Sequence, residues 1–329
     1  MRPYRLLFGL AAAYNAAFGV WAGFFPQSFF TLFRLEPINY PSLWACLGMV
    51  VGVYALAYAY AAWKPEEGDV LIWIGLIGKI LGPLGWVKTV WAGGLPPRTF
   101  PLILCNDLVW WFPFLLYLLR NHKDRAKILT SLVVVVHVIA CLGAIVARGG
   151  TEIEPSLGGR QQWVLGHIPL WSTVWMAWVL SSLSLLALFP LWARELESRL
   201  GGLIYAAVAL DLAGELHHIV LATDPARTLA QFADAVSRYN LFSVVLANGL
   251  YCLLGLVFSA LSWRRSFLKG GVGVWGFAMW TAGLGLSLAA LLESRPGIIA
   301  GAGAVMALFL PWVGLVGWRF RGAPAGKKA

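Results

Sequence analysis

The chain has 329 residues, of which 60% are hydrophobic and only 12% are charged. Soluble domains carry about 25% charged residues, so this composition excludes an ordinary soluble protein and indicates an integral membrane protein. The formal net charge of +10 does not indicate a nucleic-acid partner, because most basic residues fall at the ends of apolar segments.

Ten apolar segments are each about 20 residues long, the length that a helix needs to cross a hydrocarbon core of roughly 30 Å. We therefore predict an all-α, polytopic integral membrane protein that is embedded in a lipid bilayer. The ten predicted spans cover residues 5–25, 42–63, 70–91, 100–119, 128–148, 169–191, 201–222, 240–262, 271–292 and 297–318.

Lysine and arginine are distributed unevenly between the two sides of these spans. The side that holds both termini carries 16 of them, and the opposite side carries 7. Such a bias predicts a cell-membrane protein with both termini in the cytoplasm. Tryptophans near span ends, Trp171 and Trp192 among them, are predicted to anchor the spans at the membrane interfaces.

The most basic loop, RNHKDRAK, follows the fourth span and suggests a division of the chain into two modules. We predict a four-helix membrane module over residues 1–120, a basic cytoplasmic joint over 121–127 and a six-helix membrane module over 128–329. Between the seventh and eighth spans, residues 223–238 are predicted to form a short interfacial helix that Thr223 or Asp224 would cap.

The third span carries four glycines on one helical face, a pattern that lets a neighbouring helix approach closely. Lys79 lies beside this stripe and should therefore face protein rather than lipid. Pro83 cannot donate the backbone hydrogen bond that the Lys79 carbonyl would otherwise accept. The stripe consists of Gly75, Gly78, Gly82 and Gly85.

A buried lysine needs a partner, and Asp107 is the only acid within the spans of this module. We therefore predict a buried Lys79–Asp107 ion pair, whose hydrogen-bond network Asn15 and Asn106 could complete. A proton or ion relay and a ligand-binding site are the alternatives for the same residues.

Three stretches give this module a family resemblance. They are LWACLGMVVGVY at 43–54, GKILGPLG at 78–85 and NDLVWW at 106–111. In these stretches the chain resembles the DoxX-like small bacterial membrane proteins. The resemblance covers residues 1–120 only, and it implies a four-helix bundle without implying an activity.

The seventh span is unusual because LIYAAVALDLAGELHHIVLA, at 203–222, places two acids inside an apolar helix. Asp211, Glu215 and His218 stand at i, i+4 and i+7, so they share one helical face with Gly214. Acids near the middle of a membrane helix are energetically expensive. The last six spans have no Lys or Arg at that depth, so these acids should stay protonated or recruit a cation or proton donor.

Further polar residues in the last six spans are predicted to lie near this face. His137 on the fifth span stands at about the depth of Asp211, and the eighth span adds amide groups. The predicted polar core or relay therefore consists of Asp211, Glu215, His218, His137, His217 and Asn248.

Four functions are compatible with this cluster. It could be a polar core that fixes helix register, a proton- or cation-coupled pathway, a metal or haem site, or an acid–base site acting on a lipid or isoprenoid. Di-iron bundles use two Glu-x-x-His motifs and two further glutamates, whereas Glu215 and His218 form one motif, so we predict no metal ligands. A haem would need His137 together with His217 or His218.

The leading prediction is a protein that binds or translocates a small apolar or amphipathic ligand, with the acid and histidine cluster as a proton relay. A membrane-embedded enzyme is the main alternative, and the sequence leaves both enzymatic activity and any cofactor open. A third alternative is a structural subunit of an oligomer or larger membrane complex.

Overall fold

The computed structural model describes residues 1–320, and all of the regular secondary structure in that range is helical. Ten of its helices are long and apolar enough to cross a membrane, which confirms the prediction of an all-α polytopic membrane protein. They are α1 (Arg2–Phe24), α2 (Pro41–Trp63), α3 (Asp69–Trp91), α4 (Pro97–Leu118), α5 (Arg125–Val146), α6 (Ile168–Glu195), α7 (Arg199–Leu221), α8 (Leu229–Arg264), α9 (Gly271–Leu291) and α10 (Arg295–Gly317).

The chain divides into two compact units. The first comprises Met1–Lys88 and Pro101–Leu119, and the second comprises Thr89–Phe100 and the described residues from Arg120 onward. The connection between α3 and α4 thus belongs to the second unit, where its turn Pro97–Thr99 packs against α6 and the end of α7. Residues 321–329, the end of the predicted six-helix module, lie outside the described part of the chain.

The first unit is built on a close contact between α1 and α2. A Cβ atom added to Gly19 would lie 2.6 Å from the Cα of Gly52, and one added to Gly48 would lie 2.5 Å from the Cβ of Ala22. Only small residues allow two helix backbones to approach so closely in a membrane. The glycines of these two helices therefore fix their separation.

The glycine stripe on α3 accommodates side chains rather than a helix backbone. A Cβ at Gly82 would lie 2.5 Å from Oδ2 of Asp107, and one at Gly75 would overlap the ring of Tyr58. At Gly78 a Cβ would meet no atom within 4 Å. The predicted close approach is thus present at Gly75 and Gly82, where it makes room for two polar side chains.

Aromatic side chains fill the core of the first unit. Phe8, Tyr58, Phe114 and Tyr117 are all buried. The rings of Phe8 and Tyr117 meet edge to face with centroids 4.7 Å apart, and those of Tyr58 and Phe114 meet at 5.4 Å. Such edge-to-face pairs add to the stabilisation that burial alone gives.

Helix α8 corrects the prediction of a separate interfacial helix over 223–238. The helix begins at Leu229 and continues without a break to Arg264, a length of 36 residues. Thr228 caps it, because its hydroxyl accepts from the Gln231 amide at 3.3 Å while Oε1 of Gln231 accepts from the Thr228 amide at 3.1 Å. The predicted caps Thr223 and Asp224 are wrong, since the chain turns there before the helix starts.

Two predicted interfacial anchors, Trp171 and Trp192, are instead buried in the protein. Both lie on α6, the most buried of the ten spans. The indole of Trp171 donates to the His218 carbonyl at 2.9 Å, and that of Trp192 donates to the Ser262 hydroxyl at 2.8 Å. Because α6 is the central helix of the second unit, its terminal tryptophans pack against neighbouring helices.

Three of the spans contain a π-helical segment, and each segment carries buried polar groups. The segments are Leu104–Leu108 in α4, His217–Leu221 in α7 and Asn240–Ala247 in α8. A π-helical turn inside an α-helix is rare and is often found at a functional site. The three segments therefore direct attention to the polar clusters beside them.

Candidate functional site

The first unit contains a buried polar cluster that joins three of the predicted residues. The Lys79 ammonium donates to the main-chain carbonyl of Asn106 at 2.5 Å, and the Asn106 amide donates to Oδ1 of Asp107 at 2.8 Å. The hydrogen bonds thus join Lys79 to Asp107 through Asn106. The predicted fourth member, Asn15 on α1, is also buried, and its Oδ1 atom has no hydrogen-bond partner.

The main-chain carbonyl of Lys79 accepts a hydrogen bond from a side chain of another helix. Pro83 removes the helical donor for this carbonyl, and the indole of Trp111 donates to it instead at 3.0 Å. The ammonium lies 5.6 Å from the centroid of the Trp110 ring and 5.9 Å from that of Tyr58. These contacts give Lys79 partners within the unit, while Oδ1 of Asn106 has no hydrogen-bond partner.

In the second unit, Ser182 connects the two acids of α7. Its Oγ lies 2.8 Å from Oδ2 of Asp211 and 2.9 Å from Oε1 of Glu215. Ser182 belongs to α6, so this hydroxyl also joins the central helix to α7. Oδ2 of Asp211 accepts a second hydrogen bond, from the Tyr251 hydroxyl of α8 at 3.1 Å.

This geometry requires a proton on at least one of the two carboxyl groups. The Ser182 hydroxyl has one hydrogen, and its acceptors within reach are the two carboxyl groups and the Trp178 carbonyl, which lies 3.1 Å from Oγ. A carboxyl that does not accept this hydrogen must donate to Oγ, which it does only when protonated. Asp211 already accepts from Tyr251, whereas Oε2 of the buried Glu215 has no partner. We therefore assign the hydrogens as a chain in which Glu215 donates to Ser182 and Ser182 donates to Asp211.

His218 lies one turn from Glu215 in a setting made of aromatic rings. Its ring centroid is 3.9 Å from that of Tyr239, 4.3 Å from that of Trp175 and 5.4 Å from that of Trp171. The side chain is 4% exposed, and neither ring nitrogen has a hydrogen-bond partner. Since buried polar groups are nearly always paired, these two nitrogens require an explanation.

A cavity of about 530 Å³ connects these groups. Its wall is mostly apolar, and it contains indole rings from α6 and small or aliphatic side chains from α5 and α10. This volume lies within the range typical of small-molecule pockets, which also combine apolar walls with a few polar groups. The polar lining consists of His137, Ser181, Ser182, Asp211, Glu215, His218, Tyr239, Asn240, Ser243, Asn248, Tyr251, Thr151 and Glu152.

Two further predicted residues reach the cavity. His137 packs on Phe309, and its Nδ1 lies 2.8 Å from the Val133 carbonyl. Nδ1 therefore carries the hydrogen, and Nε2 is the ring nitrogen free to accept. Asn248 also lines the cavity, although its amide donates to the Gly283 carbonyl at 2.7 Å and to Ser287 at 2.9 Å, so it mainly links α8 to α9.

His217 is the predicted residue that the structure places apart from the others. It does not line the cavity. Its Nδ1 lies 2.6 Å from the Ala213 carbonyl of its own helix, and its ring stacks on Phe242. The reason is geometric, because adjacent residues of a helix point about 100° apart, so His217 and His218 cannot share one face.

A metal centre is not apparent in the part of the chain that the structure describes. Within residues 1–320 no group of three His, Cys, Asp or Glu side chains is arranged to hold a metal ion. His137 and His218 line the same cavity, but His217, the other predicted haem ligand, does not.

Sequence reasoning missed several residues of this site, above all Ser182 and the aromatic residues around His218. The spacing along α6 could have identified some of them, because three tryptophans and Ser182 stand at i, i+4, i+7 and i+11 and therefore share one helical face. It could not have identified Tyr239 and Tyr251, which belong to another helix, α8. The missed residues are Trp171, Trp175, Trp178, Ser182, Tyr239, Ser243 and Tyr251.

Comparison with known proteins gives no further guidance to this site. No protein-family model, no curated protein and no solved structure matches the chain. The site must therefore be interpreted from its own geometry.

The proton assignment can be tested by infrared spectroscopy of the purified protein at neutral pH. We expect the carbonyl stretch of a protonated carboxylic acid in the wild type, its loss in Glu215→Gln and its retention in Asp211→Asn. Asp107→Asn serves as the control for the buried acid of the first unit. Loss of the band in Asp211→Asn alone would place the proton on Asp211, and no band in the wild type would contradict the chain of donors.

Proposed function

We propose that this protein binds a small amphipathic ligand in the cavity of its second unit, within the membrane. We further propose that the Glu215–Ser182–Asp211 chain exchanges a proton when the ligand binds or leaves, and that both termini are cytoplasmic. The observation that most directly supports ligand binding is a set of unpaired polar atoms in a mostly apolar cavity. It includes Oε2 of Glu215, both ring nitrogens of His218, Oδ1 of Asn240 and the indole nitrogens of Trp175 and Trp280.

These unpaired atoms, together with the cavity beside them, favour a ligand over a polar core that only fixes helix register. Nearly all buried polar groups are paired with protein or with ordered water. No protein group in the described part of the chain pairs these atoms, and the cavity provides space next to them for a partner. Each buried group left unpaired costs about 1–3 kcal/mol. A ligand whose polar end binds to Glu215 and His218 would recover that free energy, and its apolar part would contact the remaining wall.

The apolar wall offers a direct test of ligand binding. Gly303 of α10 lines the cavity, and a Cβ added there would meet no atom within 4 Å. A leucine at this position fills the cavity without a clash. We expect Gly303→Leu to weaken binding of tritiated palmityl alcohol about tenfold or more, the equivalent of about 1.4 kcal/mol, in protein reconstituted into lipid nanodiscs.

Gly314→Leu is the matched control for this test. Gly314 lies on the same helix and also has open space at its Cβ position, but it does not line the cavity. Its affinity for the probe should equal that of the wild type. Equal affinities in all three proteins, or no saturable binding in any of them, would overturn the proposal.

The proton chain also supports an enzyme as a second candidate. A protonated Glu215 beside an apolar cavity could donate a proton to a lipid or isoprenoid substrate. Asp211 could then act as the base that accepts a proton from the same substrate. The two candidates differ in the fate of the probe. Recovery of chemically unchanged ligand after prolonged incubation supports binding or transport, whereas a product that disappears in Glu215→Gln supports catalysis.

A further inference from the structure

One wall of the cavity is formed by α5 and α10, and it is open to the outside of the helix bundle. Cys141, Ala144 and Ile145 of α5 line the cavity together with Ile299, Ala302 and Gly303 of α10. Ile145 is nevertheless 62% exposed and Ile299 is 38% exposed. A residue that lines a cavity and is also exposed lies at an opening, so the cavity opens between these two helices.

This opening extends from near the ends of the two helices into the depth of the hydrocarbon core. At about 1.5 Å per residue, the exposed residues Ile145 and Ile299 stand about 1.5 Å from the end of α5 and about 6 Å from the start of α10. Cys141 and Gly303, which also line it, stand about 8 Å and about 12 Å from the same two ends. The six residues that line the opening carry no charge, and their side chains are small or apolar. Such a surface faces lipid chains without the cost that a polar rim would bring.

The loop between α5 and α6 forms another end of the cavity, and charged side chains fix its position. Thr151, Glu152 and Ile153 line that end. The guanidinium of Arg295 donates to the carbonyls of Glu152 and Ile153, at 2.5 and 2.7 Å, and Arg160 pairs with the Glu152 carboxylate at 3.2 Å. Two arginines thus hold this loop in place, although Ile153 is itself 51% exposed, so the loop end of the cavity is fixed rather than sealed. The side towards lipid has no such fastening.

The polar end of the cavity defines the kind of head group that fits. With the proton of Glu215 directed at Ser182, Oε2 can only accept, and a neutral His218 offers one donor and one acceptor. A hydroxyl group both donates and accepts, so it can pair with Oε2 and with His218 together. An ionic head group would lose its hydration there without gaining an opposite charge.

We propose that the opening between α5 and α10 is a lateral portal through which a single-chain lipid alcohol enters from the bilayer. Its hydroxyl binds at Glu215 and His218, and its chain leaves the cavity between Ile145 and Ile299. This inference rests on the proposed ligand-binding function, and it adds the route of entry and the chemical class of the ligand.

The test uses palmityl alcohol that carries a photoactivatable diazirine at the end of its chain, with the full-length protein in lipid nanodiscs. After irradiation, we expect the label on residues 141–145 and 299–306, with unlabelled palmityl alcohol as competitor. His218→Phe keeps an aromatic ring among Trp175 and Tyr239 but removes both ring nitrogens from the head site, so its labelling should fall about tenfold. Glu215→Gln keeps a donor for Ser182 and an acceptor at the head site, so it should be labelled as the wild type is.

The outcomes separate this inference from the proposed function. Saturable labelling on Thr151–Ile153 that depends on His218 would leave the binding function standing and overturn the portal, because the chain end would then face the aqueous loop. Label spread over all lipid-facing helices, unaffected by competitor and by His218→Phe, would overturn both. Gly303→Leu should slow labelling by about tenfold, since it narrows the route of entry, and Gly314→Leu should not change it.

Discussion

Replacing Gly19 with leucine is expected to destabilise the first unit more than any change on its lipid-facing surface. The Cβ of the new side chain would lie 2.6 Å from the backbone of Gly52, and a backbone atom cannot move aside as a flexible side chain can. Overpacking typically costs 1–3 kcal/mol and occasionally more. We expect about 3 kcal/mol here, because α1 and α2 would have to separate along their whole contact.

Gly9→Leu provides the comparison on the same helix. A Cβ at Gly9 meets no atom within 4 Å, so the leucine should extend into lipid and change stability by about 0.5 kcal/mol or less. Unfolding of both variants by increasing sodium dodecyl sulfate in mild detergent, followed by circular dichroism, measures the difference. Equal midpoints for the two variants would contradict the close contact of α1 and α2.

These two glycines show what a membrane sequence predicts well and what it predicts poorly. The ten spans follow from length and hydropathy, because the bilayer imposes both on every crossing helix. The contacts between spans do not follow, because an apolar helix exposes similar side chains to lipid and to protein. Gly9 and Gly19 look alike in the sequence, and only the position of Gly52 distinguishes them.

The candidate site shows the same limit within one helix. The spacing of Asp211, Glu215 and His218 predicted a common face, and all three line one cavity. Spacing along α7 carries no information about which residue of another helix will lie opposite. Ser182 comes from α6, and its position depends on how that helix is rotated and how far it is shifted along its axis.

The predicted cap of α8 failed for a related reason. Thr223, Asp224 and Thr228 are all suitable caps by residue type, and the choice among them depends on where the chain leaves α7. The π-helical end of α7 extends that helix to Leu221, and a turn follows it. The capping preferences of these residues therefore predicted the approximate start of α8, and the end of α7 determined its first residue.

Ser182→Ala is the second change from which we expect a large effect, because one hydroxyl serves two buried carboxyl groups. Without it, Glu215 loses the acceptor for its proton, and Asp211 loses one of its side-chain donors. A buried polar group left unpaired costs about 1–3 kcal/mol, and more when it is charged. We expect about 3 kcal/mol of lost stability, and a loss of proton exchange upon ligand binding.

Ser184→Ala tests whether these effects belong to the connection between the acids. Ser184 is buried on the same helix, and its hydroxyl donates at 2.6 Å to the Ser181 carbonyl of that helix. It does not line the cavity, so its loss should cost about 1 kcal/mol and leave proton exchange unchanged. The change of the carboxylic-acid infrared band on addition of palmityl alcohol provides the second readout. If Ser182→Ala exchanges protons as the wild type does, the acids do not act through this hydroxyl, and the relay must run through other groups of the cavity.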